Sequence, residues 1–287
     1  MPELPEVEHV KNQLKKLVLG QEPCTTRITA KTALDARVAQ FESFRKDLRF
    51  PIPRTLAKRV AGQEILDIER RAKYLLFRFE QGWLLSHLGM TGAWREVADL
   101  EPLILHDHIR LKFVRGLTLV FNDPRRFGFV DWVEKGKLEE HPRLSHLGPE
   151  PLSDEFTGEA LYARLRKRSA PIKSLIMDQR IVVGVGNIYA SEALFRIGVR
   201  PTRAAGRLTR AECERLATTV REVLTEAILA GGSTIRDYRG VDGGKGGFQS
   251  RFFVYDRKGE PCRVCKSLIL SKMIATRSTY WCPRCQV

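Results

Sequence analysis

The 287-residue sequence predicts a multidomain α+β protein, and three observations predict it. Between residues 74 and 122, short apolar or alternating runs are punctuated by turn residues, as in antiparallel strands of a β-sandwich or barrel. Beyond about residue 147 the apolar spacing becomes helical. Near the C-terminus, Cys262, Cys265, Cys282 and Cys285 form two C-x2-C pairs separated by 16 residues, the spacing of a zinc ribbon.

The first part opens with a helix, because Val7, Val10, Leu14, Leu17 and Val18 repeat at helical spacing. Pro5 suits the first turn and Gly20 the end. Strands are expected in YLLFRFE from Tyr74, WLLSHL from Trp83, IRLKFV from Ile109 and LTLVFN from Leu117. Thr25 to Arg59 is charged and weakly periodic, and no element is assigned to it. The Pro-, Gly- and acid-rich text around Leu147 marks a boundary, so domains are expected at 1–148, 149–255 and 256–287. In the second, Thr209 and Glu212 spell a capping box, followed by a stripe of Cys213, Leu216, Val220, Val223, Leu224, Ala227 and Ile228 that ends at Gly231-Gly232. Cys213 reads as a buried thiol, and Cys24 carries no interpretable signal.

Forty-nine Lys plus Arg against 34 Asp plus Glu leave a formal charge of +15, which excludes a protein inert toward polyanions. A 43% hydrophobic content is ample for buried cores and excludes global disorder. No apolar run reaches the roughly 18 residues that span a bilayer. MPELPEVEH has neither the basic nor the apolar region of a signal peptide, so the cytoplasm is the expected compartment. Four cysteine thiolates suit tetrahedral zinc, and a reducing compartment disfavours the alternative of two disulfides. With zinc bound, the ribbon keeps a net positive charge and can approach phosphate.

Several segments could carry chemistry, and each also has an ordinary structural reading. Arg164, Arg166, Lys167, Arg168 and Lys173 cluster, as do Arg70, Arg71 and Lys73, but most charge runs are solvated faces. Arg277 lies between the two cysteine pairs, where a rigid hairpin could aim it. GVDGGKGGF from Gly240 suits a mobile loop over a substrate or a plain surface loop. GVGN before IYASEALF opens a helix whose backbone N–H groups suit phosphate. DPRRFG, residues 123–128, puts two arginines beside an aromatic ring, the combination needed to enter a duplex and fill the space of a displaced base. If Met1 is removed, Pro2 presents a free α-amine, a class of group with a pKa of roughly 7.7–8.0 against roughly 10.4 for lysine and so nucleophilic near neutrality, and in proline that amine is secondary. Its attack on an aldehydic sugar carbon gives an iminium ion directly. Glu3, beside that nitrogen, could donate and then accept a proton. Locally, Pro2-Glu3-Leu4-Pro5 also reads as a plain helix lead-in.

Together these segments resemble the formamidopyrimidine-DNA glycosylase family of base-excision repair enzymes. The resemblance rests on MPELPEVE, RRAKYL around Lys73, HLGMTG at 87–92, HDH at 106–108, DPRRFG, PIKSLIMDQ from Pro171, VVGVGNIYASE and the closing CPRCQ. It implies an N-terminal β-sandwich, a helix-two-turn-helix domain and a zinc ribbon holding one structural Zn²⁺. The implied activity is that of a bifunctional glycosylase and lyase acting on 8-oxoguanine and formamidopyrimidines in damaged double-stranded DNA. It makes Pro2 the Schiff-base nucleophile, Glu3 the proton donor, Lys73 an aid to β-elimination and Arg277 a group for δ-elimination and phosphate contact. Met90, Arg125 and Phe127 would fill the void of the flipped base, with Arg125 facing the orphaned cytosine. His106, Arg126, Arg168, Lys173 and Asn187 would contact backbone or lesion, and Glu6 would support the active site. A bacterial monomer, associated with the nucleoid through DNA, is expected. LDARVAQFESFRKD, from Leu34, is expected to be a surface insertion. The alternatives are an endonuclease VIII-like enzyme for oxidised pyrimidines and a non-catalytic zinc-ribbon DNA-binding protein.

Overall fold

The structure, a computed structural model, describes residues 2–21, 34–98, 101–234 and 238–287. The chain divides into two compact units, Met1–Ser145 with Gly231–Gly247, and His146–Ala230 with Phe248–Val287. Cys24 and the segment 25–33 lie outside the described residues.

The first unit begins with α1, Leu4–Leu19, whose buried Val7, Val10, Leu14 and Val18, with the half-buried Leu17 packed against the core, are the stripe expected from the sequence. Glu3 is its N-cap, and Gly20 ends it in the left-handed conformation at φ 68°. After it come β1 (Val38–Ser43), the short α2 (Leu56–Val60), β2 (Asp67–Arg71), β3 (Tyr74–Phe79), β4 (Gly82–His87), β5 (Ala93–Val97), β6 (Asp107–Phe113), β7 (Thr118–Asn122) and β8 (Phe129–Glu134). They form two four-stranded antiparallel sheets, β1-β6-β7-β5 and β2-β3-β4-β8.

One core joins both sheets and α1, as a sandwich requires. Trp94 of β5 meets Phe77 of β3 edge-on at 5.6 Å and Phe121 of β7 at 5.1 Å. Its indole N–H donates to Ser86 Oγ of β4 at 3.0 Å, so this buried polar pair is satisfied across the two sheets.

The segment expected to be a surface insertion is instead structural. Val38, Phe41 and Ser43 register with Phe113, Leu111 and Ile109 of β6, and Val38 and Phe41 are buried in the core. An irregularity between Val38 and Gln40 breaks the period-two pattern, which is why the alternation is hard to read in the sequence.

The second unit holds α3 (Gly158–Leu165), α4 (Ile172–Ile176), α5 (Asn187–Arg196) and α6 (Arg210–Leu229). The capping box of α6 is formed: Glu212 N–H donates to Thr209 Oγ1 at 3.2 Å, and Thr209 N–H to Glu212 Oε2 at 2.8 Å. Cys213 is buried against this helix's core face, and burial, then Glu212 and Glu159, push its thiol up to about 11. The unit closes with the hairpin β9 (Leu270–Ile274) and β10 (Arg277–Trp281). Phe195 of α5 packs with Val254, Cys262, Ile269 and Cys282, which ties the ribbon to the helices. No described helix is long and apolar enough to cross a membrane.

Candidate active site and zinc ribbon

In the first unit, α1 lies along β2 in opposite direction, fixed by two ion pairs. Arg70 Nε donates to Glu8 Oε2 at 2.6 Å, and Lys15 Nζ to Asp67 Oδ1 at 2.6 Å. Seven helical residues advance about 10 Å, and three strand residues also advance about 10 Å. The two elements therefore stay in register. Going back along α1 from Glu8 leads to Pro2 and Glu3; going forward along β2 from Arg70 leads to the two-residue turn Ala72-Lys73. Helix start and turn meet at one end of the sheet.

Arg70 fixes that turn as well, because its Nη1 donates to the Ala72 carbonyl at 3.0 Å. Ala72 has φ 54°, the left-handed geometry that a tight hairpin needs at its first central position. Lys73 follows and is buried, as are Pro2 and Glu3. Glu6 holds the helix start: its Oε2 accepts Glu3 N–H and its Oε1 accepts Ser233 N–H, both at 2.7 Å. Gly232, at φ 80°, lies so close that a Cβ there would meet the Glu6 carboxylate at 2.9 Å. The glycine-rich segment is thus anchored to α1, with Val241 in the core and its N–H donating to Gln13 Oε1 at 2.7 Å.

A second cluster is built at the ends of β4, β6 and β7. Gly89, at φ 62°, approaches the Phe127–Gly128 backbone so closely that a Cβ would lie 2.3 Å from it. Asp123, fully buried, accepts from Thr91 Oγ1 at 2.6 Å and from Gly128 N–H at 2.7 Å. Arg125 N–H donates to Thr91 Oγ1 at 3.2 Å. These bonds bring the loop of Met90 onto the loop of Arg125, Arg126 and Phe127. Phe127 is 42% exposed, with the Arg125 guanidinium 4.9 Å from its ring centre, so an aromatic wedge and a cation project together. Arg126, at φ 56°, and Arg125 are both exposed. His106 lies beside this loop, since its carbonyl accepts Asp123 N–H at 3.0 Å.

In the second unit, Lys173 is only 1% exposed. Its ammonium donates to Asn187 Oδ1 at 2.5 Å, Thr279 Oγ1 at 2.7 Å and the Ser278 carbonyl at 3.1 Å. Asn187 Nδ2 donates to the same carbonyl at 3.0 Å. The pair grips β10 next to Arg277, which is exposed where β10 leaves its two-residue turn. A cleft of about 150 Å3 runs between Lys173, Met177, Ile274 and Arg277. Arg168 is on the exposed loop between α3 and α4, where its carbonyl accepts Gly206 N–H at 2.8 Å.

The four ribbon cysteines converge with all Sγ atoms within 4.8 Å of one another. Cys262 and Cys285 are 3.9 Å apart, Cys265 and Cys282 3.4 Å. A tetrahedron with Zn–S bonds near 2.3 Å needs sulfurs about 3.8 Å apart, so the donor set fits one zinc ion. Val264 N–H and Cys285 N–H donate to the Cys262 and Cys282 sulfurs at 3.4 Å, as suits thiolates. Glu8, Thr91 and Asp123 have no role assigned from the sequence, and Arg70 enters there only as part of a basic cluster, although the MPELPEVE, RRAKYL, HLGMTG and DPRRFG segments contain all four.

A β-sandwich, a helical unit and a C-terminal zinc ribbon, with cations and an aromatic on projecting loops, define a zinc-ribbon protein equipped to engage nucleic acid. Residues 1–130 match the formamidopyrimidine-DNA glycosylase N-terminal domain, residues 147–239 the formamidopyrimidine-DNA glycosylase H2TH domain, and residues 259–287 the zinc finger found in FPG and IleRS. The chain is 48% identical to the formamidopyrimidine-DNA glycosylase of Syntrophotalea carbinolica over 286 residues, the whole of both chains. Among solved structures, it is similar to the MutM (Fpg) protein from Thermus thermophilus, with 43% identity, TM-score 0.84, and 99% and 98% of the two chains covered. It is also similar to a Lactococcus lactis Fpg variant in complex with Fapy-dG-containing DNA, with 31% identity, TM-score 0.88 and 99% of each chain covered. The chain belongs to the formamidopyrimidine-DNA glycosylase family.

Proposed function

We propose that this enzyme removes oxidised purines, formamidopyrimidines and 8-oxoguanine, from double-stranded DNA in base-excision repair, and then cleaves the strand by β,δ-elimination. It works as a monomer on DNA in the bacterial nucleoid. The observation that carries the reading is the double grip of Arg70 on Glu8 of α1 and on the Ala72 carbonyl of the β2–β3 turn, which keeps Lys73 at the end of the sheet where α1 starts.

With Met1 removed, the Pro2 nitrogen attacks C1′ of the damaged nucleoside, and the base departs with the glycosidic electron pair. Glu3 protonates the ring oxygen as the sugar opens, and the nitrogen, already secondary, becomes an iminium ion. The iminium acidifies the C2′ proton; its removal, aided by Lys73, expels the 3′ phosphate. Arg277 then serves the second elimination. Met90, Arg125 and Phe127 occupy the space of the extruded nucleotide, and His106, Arg126, Arg168, Lys173 and Asn187 contact backbone or lesion. Zinc supplies no chemistry to these steps; it shapes the hairpin that carries Arg277.

The test is borohydride trapping on duplex DNA with 8-oxoguanine opposite cytosine, using protein shown by mass spectrometry to begin at Pro2. A covalent adduct is expected; its absence would overturn the Pro2 mechanism. Glu3→Gln should bind this DNA and fail to excise the base, and unchanged excision would remove Glu3 from the mechanism. Faster trapping on an oxidised pyrimidine would support the endonuclease VIII-like alternative.

A further inference from the structure

Asp107 stands at a break in the β6–β7 ladder. Its Cα pairs with Asn122, and the next pair is Ile109 with Phe121, so His108 is the extra residue of a bulge. Bulges of this kind re-aim neighbouring side chains. On one side of Asp107, His108 turns inward and its Nε2 meets the Asp123 carbonyl at 2.9 Å. On the other side, His106 is held at φ 74°, a strained conformation for a non-glycine residue that persists only where its surroundings enforce it.

The Asp107 carboxylate lies at the centre of this stretch. Its side chain is completely buried and accepts three bonds: Arg95 Nη2 at 2.7 Å and Ile104 N–H at 2.9 Å on Oδ2, and Asn122 Nδ2 at 2.8 Å on Oδ1. Asp107 N–H donates back to the Ile104 carbonyl at 3.1 Å, and Asn122 Nδ2 also donates to the Leu105 carbonyl at 3.0 Å. Residues 104 to 107 are therefore closed into a tight bend around one carboxylate. The bend ends at the His106 carbonyl, which accepts Asp123 N–H at the root of the Arg125–Phe127 loop.

We propose that Asp107 is a positioning residue for DNA binding: it fixes the left-handed bend that aims His106 and joins it to the root of the loop carrying Arg125 and Phe127. This rests on the reading above that His106 contacts DNA.

Asp107→Asn tests it. An amide cannot replace the carboxylate in either orientation, because one end would present N–H to Asn122 Nδ2 or to Arg95 and Ile104. Affinity is read by fluorescence anisotropy on duplex DNA with a stable abasic-site analogue opposite cytosine, for wild type, Asp107→Asn, His106→Ala and the double variant. Each single change should weaken binding about tenfold, the loss of one hydrogen bond to a charged group. The double variant should be no weaker than about twofold beyond the worse single one, because Asp107 acts through His106. Wild-type affinity of Asp107→Asn, or losses that multiply in the double variant, would overturn the proposal, the second pattern meaning that Asp107 only supports the fold. Wild-type affinity of His106→Ala is a different pattern; it removes the DNA-contact reading of His106 and the proposal with it. Should Asp107→Asn not fold, Arg95→Met deletes one of the carboxylate's three donors, together with the Arg95–Glu101 pair, and its smaller loss of about threefold should likewise vanish in the His106→Ala background.

Discussion

Arg70 donates to Glu8 at 2.6 Å and to the Ala72 carbonyl at 3.0 Å, so one guanidinium holds both the helix that follows Pro2 and the turn that carries Lys73. Burial raises the Glu8 carboxyl, but Arg70 and Lys11 outweigh it and leave its pKa below the usual carboxylate value. The stabilisation is therefore fully present above the unfolded carboxyl's pKa near 4.5 and is lost as the pH falls through the lower folded value. Glu8→Gln removes the anion that faces a guanidinium only 9% exposed and should cost about 3 kcal/mol at pH 7. Urea unfolding at pH 7 and pH 3 checks this, since the gap between the two proteins should narrow at the lower pH, where the unfolded carboxyl is protonated. Trapping of the covalent adduct should slow at least about tenfold, because small displacements of reacting groups are costly.

Gly89→Ala should be among the most damaging small substitutions in the first unit. The residue sits at φ 62°, and an added methyl would lie 2.3 Å from the Phe127 and Gly128 backbone. Strain and displacement together should cost about 2–4 kcal/mol. The loop of Phe127 must move to relieve the clash, so affinity for abasic-site DNA should fall with stability. Thermal melting and anisotropy on the same preparations check both, and a variant as stable as wild type would contradict the close packing of these two loops.

Much of this architecture is legible in the chain itself. The α1 stripe, the Thr209–Glu212 box and the cysteine spacing are local signals, and the structure realises each where the sequence puts it. β1 is not legible, because its bulge at Val38/Gln40 spoils the alternation and only pairing with β6 makes a strand of it. The site is legible in parts: Pro2, Lys73 and DPRRFG have recognisable chemistry, whereas Glu8–Arg70 and Thr91–Asp123 are 62 and 32 residues apart and acquire meaning only through the fold. Lys173 shows the same limit. In the sequence it belongs to a basic cluster; in the structure it is a buried strut with three acceptors, two of them on β10.

Chelation of the ribbon should act on that strut. One zinc per chain is expected by elemental analysis, and its removal should release the Cys262–Cys285 and Cys265–Cys282 approaches. Without them, β9 and β10 lose their anchor, and Lys173 and Asn187 lose their hold on Ser278. Hydrogen exchange should show lost protection at Tyr280 and Trp281 on β10, while β3 and β4 of the first unit keep theirs. Affinity for DNA should fall in parallel and return when zinc is restored.

His87 gives the clearest dependence on pH. Burial, followed by the cations of Lys73, Arg49 and Arg143, holds its imidazole down to about 3. The ring stacks on Phe129 at 5.5 Å, and Nδ1 accepts Gly89 N–H at 2.9 Å, which leaves the proton on Nε2. In the unfolded chain the same group titrates near 6.5, so below that pH unfolding takes up a proton that the folded protein refuses. The stabilisation is complete above pH 6.5 and declines toward pH 3, amounting to roughly 3 kcal/mol lost by pH 4. His87→Asn keeps an acceptor near the Nδ1 position but does not titrate. Its unfolding free energy, followed by tryptophan fluorescence in urea, should therefore fall less steeply than that of wild type between pH 6.5 and pH 4. Parallel profiles for the two proteins would show that His87 takes up its proton in the fold as in the unfolded chain, against the burial and the neighbouring Lys73, Arg49 and Arg143 that keep it neutral.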